Sequence, residues 1–65
     1  MPRVIIKHVN YLDNTVAYRD ILGNLHREDG PALIWADGKE EWYYNGEYLK
    51  DVHSIEDLII KRILE

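Results

Sequence analysis

Cysteine and phenylalanine are both absent from the 65 residues, methionine occurs once and proline twice. Without cysteine neither a disulfide framework nor a thiolate zinc site can form, and the chain reads as a soluble protein of a reducing compartment. No apolar run approaches the ~18 residues that span a bilayer, and no basic segment leads into an apolar stretch with a cleavage site, so no membrane partner is expected. An excess of positive charge is missing too. Eight Lys and Arg stand against twelve Asp and Glu, a formal charge of −4, which argues against a nucleic-acid partner because there is no surplus of cations to displace counterions. A chain this short forms one domain, residues 1–65, and buries only about 60% of the surface its unfolded form exposes. With no staple available, it depends on dense aromatic packing or on self-association.

What is present is β-branched residues, turn dipeptides and a final helical period. "RVIIKHVNY", Arg3 to Tyr11, carries no Gly or Pro and suits a strand. Asp13 and Asn14 make Leu12 to Thr15 a turn, after which Thr15 to Ile21 forms a second strand. A two-residue loop at Gly23-Asn24 pairs Leu22 with Leu25, Ile21 with His26 and Asp20 with Arg27. Asp29-Gly30-Pro31 breaks the chain before the strand "ALIWA". A turn centred on Asp37-Gly38 pairs Ile34 with Glu41 and Leu33 with Trp42, and one centred on Asn45-Gly46 pairs Tyr43 with Tyr48 and Trp42 with Leu49. These registers place Leu33, Trp42 and Leu49 in one buried row, with Trp35 and Tyr44 on the same face and Tyr43 and Tyr48 on the other.

From Ser54 onward the period becomes helical. Ser54 serves as N-cap, Glu56 and Asp57 put acid in the first turn, and Lys61 and Arg62 put base in the last. Ile55, Leu58, Ile59, Ile60, Ile63 and Leu64 form an apolar arc wider than one sheet face covers, with Ile59 expected against the sheet. The fold class is therefore α+β, an antiparallel β-meander of about five strands over residues 1–50 followed by one C-terminal helix over 54–65.

"LHREDGPALIWADGKEEWYYNG", Leu25 to Gly46, resembles a repeat of bacteriophage and bacterial proteins with the form Leu-His-Arg-x-Asp-Gly-Pro-Ala, apolar residues, Asp-Gly, then Trp-Tyr-x-Asn-Gly. It is similar to the MORN-type β-hairpin repeat, in which glycines end short strands and aromatics stack between hairpins. A shift of 23 residues aligns Gly23 with Gly46, Arg27 with Lys50 and Glu28 with Asp51, the echo of a degenerate second unit. Family members often resume with another His-Arg and Gly-Pro-Ala after the Asn-Gly, whereas this chain turns to "EYLKDVHSIEDL". The resemblance implies a hairpin fold and a viral or mobile-element setting, with no agreed activity. It implies structural roles for His26, Arg27, Gly30, Pro31, Trp35, Gly38, Trp42 and Gly46.

Candidate chemistry is thin. His8, His26 and His53 are far apart, so no metal site or cofactor is expected. His26 with Glu28 or Asp29 sketches an acid and base pair, but no nucleophile stands in a recognisable motif beside it, and Ser54, the sole serine, is occupied as a cap. Enzymatic activity is not expected. Tyr43, Tyr48, Ile60 and Leu64 are the candidate contact residues, for a partner or for a homodimer. The expected function is that of a small phage-encoded interaction protein in the host cytoplasm that binds and inhibits or modulates a host protein, such as a defence enzyme. The alternatives are a structural scaffolding module and, last, an acidic nucleic-acid mimic.

Overall fold

A computed structural model describes residues 3–64. Six short strands precede one helix: β1 (Ile5–Asn10), β2 (Thr15–Asp20), β3 (Leu33–Ile34), β4 (Glu40–Glu41), β5 (Tyr43–Tyr44), β6 (Glu47–Tyr48) and α1 (Ile55–Leu64). β1 to β4 form an antiparallel sheet in chain order, and β5 and β6 form a separate hairpin. The α+β class holds, but the single five-stranded meander becomes two sheets. Trp42 is the joint between them. Its carbonyl accepts the Leu49 N–H at 2.8 Å, while the preceding carbonyl, of Glu41, accepts the Ala32 N–H at 3.0 Å. The backbone ladder thus changes partner strand at the tryptophan, whose side chain is buried.

The first hairpin closes through a four-residue loop, with Asn10 opposite Thr15. The Asn14 N–H bonds the Asn10 carbonyl at 2.7 Å, Asn14 adopts φ 59°, and the Asn10 and Asp13 side chains accept the N–H groups of Leu12 and Thr15. These are the local bonds that make Asn and Asp turn residues.

The second turn corrects the expected register. Arg19, not Leu22, lies opposite Leu25, and the His26 N–H bonds the Tyr18 carbonyl. Asp20 is the cause. Its Oδ1 accepts the N–H groups of Leu22 at 3.0 Å and Asn24 at 2.9 Å, so the partner of Leu25 falls three residues earlier than a Gly-Asn turn would put it. Asp20 is therefore a turn residue, not the partner of Arg27.

The Asp37-Gly38 turn differs by one residue, because the loop holds three: Trp35 N–H bonds Lys39 O at 2.8 Å and Gly38, at φ 91°, bonds Trp35 O. Leu33 consequently faces Glu41 instead of Trp42. A slip of one residue exchanges the two faces of a strand. Leu33 is half-buried outside the core, and Trp35 is 42% exposed, its Nε1–H donating to Glu41 Oε1 at 3.2 Å. The predicted row keeps Trp42 and Leu49 and loses Leu33. The Asn45-Gly46 turn matches its expectation, with φ 54° and 82° and Tyr43 opposite Tyr48.

The core consists of Trp42, Leu49, Val52 and Leu58, with Tyr44 packed against it. α1 docks through Leu58, which is 1% exposed. Ser54 caps it, Oγ accepting the Asp57 N–H at 3.1 Å, and Asp57 reaches back to the His53 N–H, one residue before the cap. Ile59 is about half exposed, so Leu58 fixes the helix and Ile59 does not.

Candidate functional site

The signature between His26 and Pro31 builds a self-contained loop. The Arg27 side chain folds back over it, donating from Nε to Asp29 Oδ1 at 2.9 Å and from Nη1 to the Pro31 carbonyl at 3.1 Å. Its guanidinium also lies 4.0 Å from the centre of the Tyr18 ring, a cation–π contact. Gly30 sits beneath the guanidinium. A Cβ there would come within 2.7 Å of the Arg27 Cζ, closer than packing allows. Gly30 thus lets the guanidinium lie close over the loop, while Pro31 supplies a carbonyl acceptor at the entry to β3.

His26 is fully buried and both of its ring nitrogens are used. The Asn45 N–H donates to Nδ1 at 2.9 Å, which leaves the ring proton on Nε2, facing Glu28 Oε2 at 3.1 Å. Tyr44 packs against the ring, centroids 4.5 Å apart. Glu28 in turn meets Arg62 of α1 at 3.3 Å. One chain of contacts therefore runs from the Asn45-Gly46 turn through the signature loop to the last turn of the helix. The bond from His26 holds the Glu28 carboxyl below its ordinary range, against the opposing effect of burial and with help from the Arg62 charge. Burial pushes Asp20 up, yet donors from Asn24 and Leu22 and the charge of Arg3 outweigh it and leave its carboxyl lowered.

The candidate contact residues occupy two regions. Tyr43 and Tyr48 pack together across their hairpin, centroids 5.5 Å apart, with Tyr48 half exposed and Tyr43 half-buried. Burial, aided by Glu41 and Tyr48, raises the Tyr43 hydroxyl pKa. Ile60 and Leu64 lie on the solvent side of α1 and are exposed together with Ile55, Ile59 and Ile63. The surplus arc expected from the sequence lies along this side. Val52 and Ala32, both buried, are not singled out by the sequence pattern: Val52 lies between the last strand and the helix, and Ala32 is the small first residue of the strand "ALIWA".

Among the described residues no group of three His, Cys, Asp or Glu side chains is placed to hold a metal, so His8, His26 and His53 do not converge. None of the described helices is long and apolar enough to cross a membrane. No protein-family model, curated protein or solved structure matches the chain.

Proposed function

We propose that this chain is a small non-catalytic interaction protein, phage-encoded and acting in the host cytoplasm, that binds a host protein and inhibits or modulates it. The observation that carries the reading is the placement of apolar surface. Ile55, Ile59, Ile60, Ile63 and Leu64 face solvent on one helix, and contiguous apolar surface on a small soluble domain marks a contact site. Tyr48 and Trp35 add exposed aromatic rings of the kind that anchor interfaces. Both ring nitrogens of the buried histidine are bonded within the protein, which favours a structural role for it over a catalytic one. The phage setting rests on the MORN-like signature alone.

The test is affinity capture from host lysate with quantitative mass spectrometry, using the unmodified chain, Tyr48→Asp and Leu64→Asp. One host protein enriched by the parent and lost from at least one folded variant is the expected result. Capture of nothing beyond a tag-only control would reject the reading.

A further inference from the structure

Resting on that reading and naming the partner's chemistry, we infer that β1 receives an extended acidic segment of the partner protein, which adds to the four-stranded sheet as a fifth strand. β1 is an outer strand of that sheet, and among the described residues no strand lies beyond it. It pairs with β2 over six consecutive residues and contains no proline, glycine or bulge, the devices that commonly blunt an exposed edge. The backbone directions follow from β2. The Tyr18 N–H donates to the Ala32 carbonyl, the Tyr18 carbonyl accepts the His26 N–H, and the Asp20 N–H donates to the Asn24 carbonyl, all on the side away from β1. The alternate residues Thr15, Ala17 and Arg19 therefore bond toward β1, where their partners are Asn10, His8 and Ile6. The N–H and C=O groups of Ile5, Lys7 and Val9 point outward, a row of donors and acceptors set for one more strand.

The side chains select the occupant. Ile5, Lys7 and Val9 share one face of the sheet with Tyr18, which stands opposite Lys7. On that face Arg3, Lys7, Tyr18 and Arg27 line an open cleft of about 440 Å³, together with Glu28 and Asp29. Both carboxylates are already matched, Glu28 by His26 and Arg62 and Asp29 by Arg27. Arg3 reaches Asn45 and lies 3.7 Å from Asp20. The Lys7 ammonium has no hydrogen-bond or ion-pair partner among the described residues. Residues 3–10 hold Arg3, Lys7 and His8 and no acid, in a chain of net charge −4, so this edge is the basic margin of an acidic protein. In the antiparallel pairing that the rest of the sheet uses, a carboxylate opposite Lys7 supplies the missing counter-charge, and β-branched residues two places to either side meet Ile5 and Val9. A second copy fits worse. Full antiparallel overlap of two β1 strands sets Lys7 directly against Lys7, and like charges so placed repel.

The probe is a capped peptide, Thr-Val-Thr-Glu-Thr-Val-Thr, titrated into the isotope-labelled full chain and followed by amide NMR. The amides of Ile5, Lys7 and Val9 should shift, while those of Ile6, His8 and Asn10, already bonded to β2, should move little. A short strand that must order on binding should dissociate at roughly 0.1–1 mM. Replacing its Glu by Lys should weaken binding about fivefold, and Lys7→Glu, checked for native circular dichroism, should reverse the preference. Methylating the backbone nitrogen of the peptide's Glu removes the donor aimed at β1 and should abolish the shifts. No shift in β1 at about 5 mM peptide overturns the inference, as does equal binding of the methylated peptide or a charge preference that Lys7→Glu leaves unchanged. Host capture without peptide binding leaves the functional reading standing while this inference fails. Peptide binding at β1 without any captured host protein leaves the edge site standing while that reading fails.

Discussion

Arg27 and Gly30 act as one unit, because the guanidinium lies where a Cβ on residue 30 would crowd it. A Gly30→Ala substitution should push Arg27 off its contacts with Asp29, the Pro31 carbonyl and Tyr18, at a cost of about 1–3 kcal/mol. Arg27→Ala should lose much of the same energy. The double variant should therefore be little worse than either single one, and strictly additive losses in urea denaturation would show the two residues to be independent. Glu28 gives a pH prediction. Its folded pKa lies below the ordinary 4.5, so its contribution is fully present above that value and is lost as pH falls through the folded pKa. The urea midpoint of the parent should drop across this acid window more steeply than that of Glu28→Gln, and parallel profiles would remove Glu28 from the acid response. Turn chemistry at this scale was legible where geometry leaves one solution. Asn45-Gly46 needs two successive residues at positive φ, as a two-residue hairpin turn demands. Asp37-Gly38 permits either a two-residue loop or a three-residue loop ending in a left-handed glycine, and the second is what forms.

The strands and the helix follow their local signals closely, and their facing does not. β1, β2 and α1 fall within a few residues of the segments read from β-branched content and helical spacing. The capped start at Ser54 is the clearest of these, since a lone Ser before an acidic turn and an apolar run has few other uses. The face of α1 was not legible, because six apolar residues among ten surround most of the helix and periodicity cannot choose among them. Contact with Val52, Leu49 and Trp42 settles on Leu58. Leu58→Asp should consequently unfold the domain, as burying an unpaired carboxylate costs several kcal/mol against a small total stability. Ile59→Asp should leave the monomer fold intact. Circular dichroism and a urea titration of the two variants at low concentration distinguish them, and a folded Leu58→Asp protein would displace Leu58 from its place in the core.

As a whole the chain is thin, 38 × 27 × 15 Å with a radius of gyration of 11.7 Å, where about 10.7 Å is usual for this length. Sheets and helices pack some 10 Å apart, so a 15 Å depth accommodates little more than one covered layer. That shape explains why the core is confined to four side chains and Tyr44 while a helix face and an indole ring stay in water. Stability should then come partly from association. For a folded dimer that dissociates on unfolding, each tenfold rise in concentration contributes about 1.4 kcal/mol per dimer, or about 0.7 per chain, and for a domain of this size that raises Tm by about 3–6 °C. Melting curves recorded over two decades of concentration should climb accordingly for the parent and stay level for Leu64→Asp. A Tm independent of concentration in the parent across that range would mean that the thin monomer holds itself together and that the exposed face of α1 contributes nothing to the fold.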